Sequence, residues 1–324
     1  MNPVFLMTMG DPAGIGPEIA VKALCGDRPY RIAVVGDIDV LQKAADICRL
    51  SPSFKIIDNI DDADDTCINV LNMRTPQFIP GKPQAVCGHA AYQYIVNAIE
   101  LAVRKDAAGV ITNPISKESL KLAGINYPGH TEIFADKTGV SDYSMVFLLD
   151  GVAVAHVTTH VSLRKAIDLV TKERVLRQIR LLYRSLKNLG LDPPRVAVAG
   201  LNPHAGENGL FGDEEINEIT PAIEEARREG LNIAGPLPPD TVFDRAFKGE
   251  FNGVVSMLHD HGFVALKSRD FERGVNITVG LPIIRTSVGH GTAFDKAWNG
   301  SADARSLTAA MEAAYTMHNR ITSP

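Results

Sequence analysis

The sequence has few of the features that define several protein classes. Its four cysteines all lie in the first third of 324 residues and form no CxxC pair. We therefore expect neither a disulfide scaffold nor a thiolate zinc site, and a reducing, cytoplasmic location is the natural one. The 33 basic residues against 38 acidic ones give a net charge of −5, which disfavours nucleic acid as a partner. No apolar run approaches the roughly 18 residues that a membrane helix needs, and the first residues lack the pattern of a signal peptide.

What the sequence does have is ordinary globular composition, 45% hydrophobic and 22% charged, over a length that normally forms about two domains. Short apolar runs alternate with longer amphipathic ones. Strands are predicted at 4–8, 31–35, 109–112, 144–149, 152–158, 196–199 and 254–257. Helices are predicted at 17–24, 39–47, 91–103, 172–190, 214–230 and 302–321. This alternation predicts an α/β fold with a largely parallel sheet.

The first motif covers residues 10–18, Gly-Asp-Pro-Ala-Gly-Ile-Gly-Pro-Glu, between a predicted strand and a predicted helix. Free backbone N–H groups at such a helix start bind anions. The motif is not the dinucleotide fingerprint, because Ile19 stands where the third glycine would be. It is not a P-loop either, because no Gly-Lys-Ser or Gly-Lys-Thr follows. A tight turn that needs glycine for backbone reasons is the alternative, and composition alone favours it.

Three of the nine histidines, His160, His204 and His259, each follow a predicted strand. Ligands of open α/β sheets collect at the carboxyl ends of strands. Three imidazoles from such ends can hold one divalent metal ion and leave a coordination position open for substrate. Their long spacing contains no local signature such as HExxH, so a structural or surface role remains the alternative for each one.

Two further sets of residues suggest ligand binding. Lys267, Asn276 and Arg285 would suit an anionic substrate, because they supply charge-assisted or polar donors; solvated cations on loops are the alternative. Residues 289–297, Gly-His-Gly-Thr-Ala-Phe-Asp-Lys-Ala, form a loop of small residues on which a flat ligand can lie. An ordinary turn that leads into a helix is the alternative there.

Taken together, these motifs resemble the 4-hydroxythreonine-4-phosphate dehydrogenase family over nearly the whole chain. The matching stretches are 10–18, 127–132, 158–160, 202–207, 235–241, 259–260 and 273–295. Within that family, residues 126–130 and 208–215 look most similar to the branch of D-threonate or D-erythronate 4-phosphate dehydrogenases. The dehydrogenases of aromatic cis-dihydrodiols are more distant relatives that share the framework.

The resemblance implies a fold like that of isocitrate and isopropylmalate dehydrogenases, with two α/β domains, the active site in the cleft between them and a cofactor site that is not a Rossmann fold. The expected first domain comprises residues 1–125 and 295–324. The expected second domain, 126–294, carries most of the metal and substrate residues and the interface of a homodimer with shared active sites.

The resemblance also implies roles for individual residues. The metal ligands would be His160, His204 and His259, with the last supplied by the neighbouring subunit. Substrate contacts would be His130, Thr131, Lys267, Asn276 and Arg285. Asp240 and Asp260 would lie near the reacting hydroxyl, and Lys267 and Asp260 are the candidates for the general base. The cofactor would contact Gly289, His290, Gly291, Thr292 and Asp295.

The implied reaction is the metal-dependent, NAD-linked oxidative decarboxylation of a phosphorylated four-carbon 3-hydroxy acid. The substrate would be 4-phospho-D-threonate or 4-phospho-D-erythronate, and the products dihydroxyacetone phosphate and CO2. The alternative is the 4-hydroxythreonine-4-phosphate dehydrogenase step of pyridoxal phosphate biosynthesis. NADP in place of NAD stays open, as does the metal ion among zinc, cobalt, nickel, manganese and magnesium. His261 and Gly289 depart from the family pattern, where Gln and Asp are common.

Overall fold

A computed structural model describes residues 2–26, 28–270 and 273–322 of the chain. Its strands are β1 (Val4–Thr8), β2 (Arg31–Gly36), β3 (Phe54–Ile56), β4 (Ile68–Asn72), β5 (Val110–Thr112), β6 (Ser144–Leu149), β7 (Val152–His156), β8 (Val196–Ala199), β9 (Ile233–Leu237), β10 (Gly253–Ser256), β11 (Val275–Val279) and β12 (Arg285–Val288). Its α-helices are α1 (Gly16–Leu24), α2 (Ile38–Ile47), α3 (Ala85–Val103), α4 (Lys117–Leu122), α5 (His130–Thr138), α6 (Leu163–Asp168), α7 (Lys172–Asn188), α8 (Thr220–Arg228), α9 (Val242–Phe247), α10 (His259–Arg269) and α11 (Arg305–Thr322). The chain thus has the mixed α/β fold that its sequence pattern predicts.

The chain divides into two compact units, one of Met1–Asp142 with Leu281–His318 and the other of Tyr143–Gly280 with Asn319–Pro324. These bounds differ from the expected domains, which placed 126–142 and 281–294 in the second domain. The reason lies in strand and helix pairing. Strand β12 pairs in parallel with β5, and α5 packs on α3, so both segments belong to the first unit.

The first unit is built on a parallel sheet in the order β3-β4-β2-β1-β5-β12. Every residue of β1 is buried, as parallel strands covered by helices require. Helix α3 lies very close to the start of α4, because a Cβ at Gly88 would come within 2.0 Å of the carbonyl oxygen of Ser119. The buried hydrophobic residues of β1 and the small residue at the α3–α4 contact therefore determine how the helices pack in this unit.

The second unit is built on a mixed sheet in the order β11-β6-β7-β10-β8-β9. The pairs β11–β6 and β6–β7 are antiparallel, whereas β7, β10, β8 and β9 run parallel. Residues of β7, β8 and β10 are all buried. The polar segments that carry the candidate metal ligands follow the carboxyl ends of these three central strands.

Two of the predicted helices have different bounds in the structure. The long helix predicted at 214–230 is a π-helical turn at Glu215–Ile219 followed by α8. The helix predicted from residue 91 begins six residues earlier, at Ala85.

The four cysteines are free thiols. Within the described residues, none of the helices is both long enough and apolar enough to cross a membrane.

Candidate active site

The carboxyl ends of β7 and β10 lie side by side. The two strands run parallel, with His156 of β7 level with Ser256 of β10. Just beyond them, the backbone N–H and the hydroxyl of Thr158 both donate to the carbonyl oxygen of Met257, at 3.2 and 2.8 Å. The segments that follow these two strands are thereby held together, although about a hundred residues separate them in the chain.

These two segments carry His160 and His259, whose ring centroids are 5.6 Å apart. Two imidazoles that share one tetrahedral zinc ion, each bound at about 2.0–2.1 Å, have ring centres about 5 Å apart. The Nδ1 atom of His259 lies 2.7 Å from a carboxylate oxygen of Asp260. When Nδ1 donates to this carboxylate, Nε2 keeps its lone pair for a metal ion. The pair thus fits a divalent cation by its chemistry and its spacing.

The stacked rings of Phe263 and His156 form an aromatic layer next to His259. Phe263 contacts the ring of His259 at 4.6 Å between centroids and stacks on His156 at 4.5 Å. His156 fits there only because residue 262 is glycine, since a Cβ at Gly262 would come within 2.2 Å of Nε2 of His156. Burial lowers the pKa of His156 to about 3, helped by the neighbouring His259 and His261. His156 is therefore a neutral ring at physiological pH.

His204 lies apart from this pair. It follows β8 in an unusual turn in which six successive residues, 204–209, have positive φ angles, and only two of them are glycine. L-residues adopt this left-handed conformation at a cost, so such a run persists only where the surroundings impose it. The exposed ring of His204 contacts Phe211, with centroids 6.2 Å apart.

The carboxylate of Glu215 anchors the segment that leads into this turn. Glu215 is buried and accepts hydrogen bonds from the backbone N–H groups of Leu201 and Asn202, at 2.7 and 2.8 Å, and from the side-chain amide of Asn202, at 2.9 Å. It lies against Gly200 and Gly206, where any Cβ would come within 2.9 Å of its oxygens. Sequence reasoning missed Glu215, because an acid in the run 213–215 is typical of an exposed surface.

Within residues 2–26, 28–270 and 273–322, no three His, Cys, Asp or Glu side chains are grouped closely enough to hold a metal ion. Of the three predicted ligands, a single chain brings together His160 and His259 but not His204.

The remaining predicted residues of the second unit occupy different environments. The Lys267 ammonium lies 5.2 Å from the centre of the Phe263 ring, on the same aromatic layer that supports His259. Asn276 is half-buried in β11, level with Phe147 of β6. Asp240 is exposed in the loop between β9 and α9. Lys267 therefore contacts the same ring that packs on His259.

In the first unit, the buried Arg285 and the half-buried His130, whose Nε2 atom is enclosed, form a polar centre. A terminal nitrogen of Arg285 donates to the hydroxyl of Thr112 at 2.8 Å, and its guanidinium lies 5.5 Å from the ring centre of Phe134. Burial lowers the pKa of Arg285 to about 9, which leaves it charged at neutral pH. Burial and the Arg285 charge hold the pKa of His130 well below 6.5. Thr131, half-buried, follows His130 in α5.

The two glycine-containing motifs of the first unit meet. The backbone N–H of Ile15 donates to the carbonyl oxygen of Thr292 at 3.0 Å, and a Cβ at Gly14 would come within 3.0 Å of Thr292. The predicted cofactor loop thus packs on the first βα turn. Within it, His290 Nδ1 lies 3.0 Å from the carbonyl oxygen of Gly291.

The other predicted residues of this loop lie close by. The backbone N–H of Gly289 donates to the Ser306 hydroxyl at 3.0 Å, and Asp295 is exposed. A Cβ at Gly291 would meet no described atom within 4 Å, so the backbone there is open to a ligand.

We predict that replacing Glu215 with Ala weakens the loop that carries His204. The change leaves one buried and one partly buried backbone N–H group without an acceptor, so the free energy of unfolding should fall by about 2–4 kcal/mol. Urea denaturation followed by circular dichroism measures this. Glu224→Ala, at an exposed glutamate of the same unit, is the control. Equal stability of the two variants would show that Glu215 does not hold the turn.

We also predict that His130 makes the protein less stable in acid. The folded-state pKa of His130 lies below the ordinary value of 6.5, so below that pH the unfolded chain takes up a proton that the folded protein does not. The free energy of unfolding should then fall by up to about 1.4 kcal/mol per pH unit from this group. His130→Asn should reduce the slope of the stability curve below about pH 6.5.

For this comparison, His89→Asn, at an exposed histidine of the same unit, is the matched control. Identical slopes for the wild type and His130→Asn would contradict the prediction.

Comparison with known proteins identifies relatives along the whole chain. Residues 28–314 match the family described as pyridoxal phosphate biosynthetic protein PdxA. A D-threonate 4-phosphate dehydrogenase of Salmonella typhimurium is 46% identical over 320 residues, which cover 96% of this chain and 98% of the relative.

Solved structures of related proteins support the same family assignment. A 4-hydroxythreonine-4-phosphate dehydrogenase from Klebsiella pneumoniae superposes with a TM-score of 0.89 at 42% identity and covers 98% of both chains. A terephthalate 1,2-cis-dihydrodiol dehydrogenase from Burkholderia xenovorans gives a TM-score of 0.69 at 28% identity, again over 98% of both chains. These matches confirm the predicted family resemblance. The chain belongs to the PdxA family and is a dehydrogenase.

Proposed function

We propose that the chain catalyses the metal-dependent, NAD-linked oxidative decarboxylation of a phosphorylated four-carbon 3-hydroxy acid, 4-phospho-D-threonate or 4-phospho-D-erythronate. The observation that carries this proposal is the pair His160 and His259, 5.6 Å apart, with Lys267 on the same aromatic layer. The name of the Salmonella relative supports the substrate class. The reaction converts the alcohol and NAD⁺ to a ketone, NADH and a proton, after which the 3-keto acid releases CO2.

The second candidate is the oxidation of 4-phosphooxy-threonine, which differs from the first substrate by an amino group in place of the hydroxyl at C2. It is favoured by the Klebsiella structure, which carries the name of that enzyme and superposes along 98% of the chain. The discrimination must come from the groups that line C2 of the substrate.

The chain's own residues account for binding and proton transfer in this proposal. His160, His204 and His259 would hold a divalent cation, which would supply Lewis acidity to the reaction. Asp260 contributes by orienting His259 through its Nδ1 atom. We propose Lys267 as the group that takes the hydroxyl proton.

We assign anion binding to the polar centre that Arg285 and His130 form in the first unit. Arg285 retains its charge, whereas His130 is neutral and offers a hydrogen-bonding ring nitrogen. A charged guanidinium held by Thr112 and Phe134 is fixed in place before an anion arrives. We propose that Arg285 binds the phosphate or the carboxylate, with His130 and Thr131 as polar neighbours and Asn276 as a further substrate contact.

The loop of Gly289, His290, Gly291, Thr292 and Asp295 is proposed to bind the nucleotide cofactor. Its packing against the first βα turn, through Ile15 and Thr292, gives it a fixed backbone. NAD is the expected cofactor, in a cytoplasmic homodimer. Zinc, cobalt, nickel, manganese or magnesium could be the metal, and imidazole ligands favour the first four.

The test is a turnover assay that follows nicotinamide absorbance with three acids: 4-phospho-D-threonate, 4-phospho-D-erythronate and 4-phosphooxy-threonine. We expect reduction of NAD with one of the first two, complete loss after chelation, and recovery when divalent metal is restored. Faster turnover of 4-phosphooxy-threonine would favour the second candidate. Full activity after exhaustive chelation would refute the metal requirement.

Arg285→Lys should raise the KM for phosphorylated substrates about tenfold to a hundredfold, because it removes a charge-assisted hydrogen bond worth about 1.5–3 kcal/mol. The kcat should change less. Steady-state kinetics measure both, with Arg305→Lys as the control, since Arg305 forms a surface ion pair with Asp303. A similar loss with the unphosphorylated acid would argue that Arg285 does not contact the phosphate.

A further inference from the structure

We infer that Glu18 is a positioning residue for the nicotinamide cofactor. Its side chain fixes the backbone at residues 298–300, the segment that directly follows the cofactor loop 289–297, and thereby sets the shape of that loop before a cofactor binds. The inference rests on the proposed function, in which this loop binds the nucleotide. It gives a role to the last residue of the first glycine motif, which the proposed reaction does not otherwise use.

Glu18 is an acid enclosed within the first unit. It lies in the first turn of α1 and is fully buried. One carboxylate oxygen accepts a hydrogen bond from the backbone N–H of Trp298, and the other accepts one from the backbone N–H of Gly300 at 2.7 Å. A buried carboxylate is stable only where donors satisfy its oxygens. The two backbone N–H groups, 280 and 282 residues away in the chain, meet that requirement.

The segment that Glu18 binds has an unfavourable backbone. Trp298 has a φ angle of +63°, in the left-handed region that is costly for a residue with a side chain. Gly300 has a φ angle of +77°, and a Cβ there would come within 2.7 Å of the carbonyl oxygen of Ile47. A bend of this kind persists only where its surroundings hold it. The two N–H groups that Glu18 binds belong to the two residues with these φ angles.

Lys22, one turn further along α1, binds the same segment through its carbonyl groups. Its ammonium donates to the carbonyl oxygens of Gly300 and Ala302, each at 2.7 Å. Because Glu18 and Lys22 are four residues apart, they lie on one face of the helix. The acid binds N–H groups and the base binds C=O groups, so α1 holds residues 298–302 through four hydrogen bonds.

The segment held in this way forms one end of the cofactor loop. The loop is attached to the first βα turn by the hydrogen bond from the N–H of Ile15 to the carbonyl oxygen of Thr292, at 3.0 Å. Just after the loop, the indole N–H of Trp298 donates to the carbonyl oxygen of Pro12 at 3.1 Å. Between these attachments Ala293 has a φ angle of +41°. With both of its ends fixed, the loop loses less conformational entropy when a cofactor binds.

Glu18→Gln tests the inference, because it keeps the size of the side chain and replaces one acceptor oxygen with an NH2 group that faces a backbone N–H. Lys22→Met is the second variant, since it removes the ammonium that binds the carbonyl groups. Glu100→Gln, at an exposed glutamate of α3, is the matched control. Circular dichroism and urea denaturation check that each variant is folded.

We expect Glu18→Gln and Lys22→Met to weaken cofactor binding selectively. The dissociation constant for NADH, measured by isothermal titration calorimetry without substrate, should rise about tenfold, as the loss of one charge-assisted hydrogen bond would give. The KM for NAD should rise by a similar factor. The kcat and the KM for the phosphorylated acid should stay within about twofold of the wild type, because the reacting groups are unchanged.

Trp298 supplies a readout of the segment itself, because it is the single tryptophan of the chain. In Glu18→Gln without cofactor, its fluorescence should move to longer wavelength and be quenched more strongly by acrylamide, since the indole gains access to water. Saturating NAD should reverse part of the increase in acrylamide quenching. The control Glu100→Gln should behave like the wild type in both measurements.

Other results overturn the inference. A folded Glu18→Gln with the wild-type affinity for NADH, or with unchanged quenching of Trp298, would show that the carboxylate does not shape the loop. Equal increases in KM for both substrates, or a fall in kcat alone, would show a general or a catalytic effect instead.

Lys22→Met decides the question by the same criteria if Glu18→Gln does not fold. If neither variant folds, the two side chains serve the stability of the unit and the inference is wrong. A wild-type protein that binds no NADH and reduces no NAD would refute the proposed function itself.

Discussion

The parallel pairing of β7 with β10 is the constraint on which the candidate site depends. It brings two segments from distant parts of the chain to one edge of the sheet, and the two hydrogen bonds from Thr158 to Met257 extend that alignment beyond the strands. A shift of one residue in this register would turn the side chains of a whole strand to the other face. The buried apolar side chains of both strands prevent such a shift, and they thereby set the distance between His160 and His259.

The loop after β8 obeys a different constraint. Its left-handed backbone is unfavourable for residues other than glycine, yet the Glu215 carboxylate gives the buried N–H groups of the preceding segment the acceptors they require. Because this loop is already ordered, binding a ligand there would cost less conformational entropy than binding it to a flexible loop.

The sequence predicted what depends on local periodicity and missed what depends on tertiary contacts. The strands at 152–158, 196–199 and 254–257 were placed within two residues, because buried parallel strands read as short apolar runs, and this put His160 and His259 at strand ends. The burial of Glu215 could not be predicted, because only the folded loop supplies its donors. The unit to which 126–142 and 281–294 belong was equally hidden, since it depends on β12 pairing with β5 across more than 170 residues.

Burial, more than pairing with acids, sets the charge state of the polar groups at the candidate sites. His156 and His130 both have pKa values lowered first by desolvation, which keeps both imidazoles neutral at physiological pH. Burial also lowers the pKa of Arg285, but the guanidinium keeps its charge because it starts from a much higher value. Burial therefore removes the positive charge of these two histidines and leaves that of Arg285, so the polar centre of the first unit combines a charged guanidinium with a neutral imidazole.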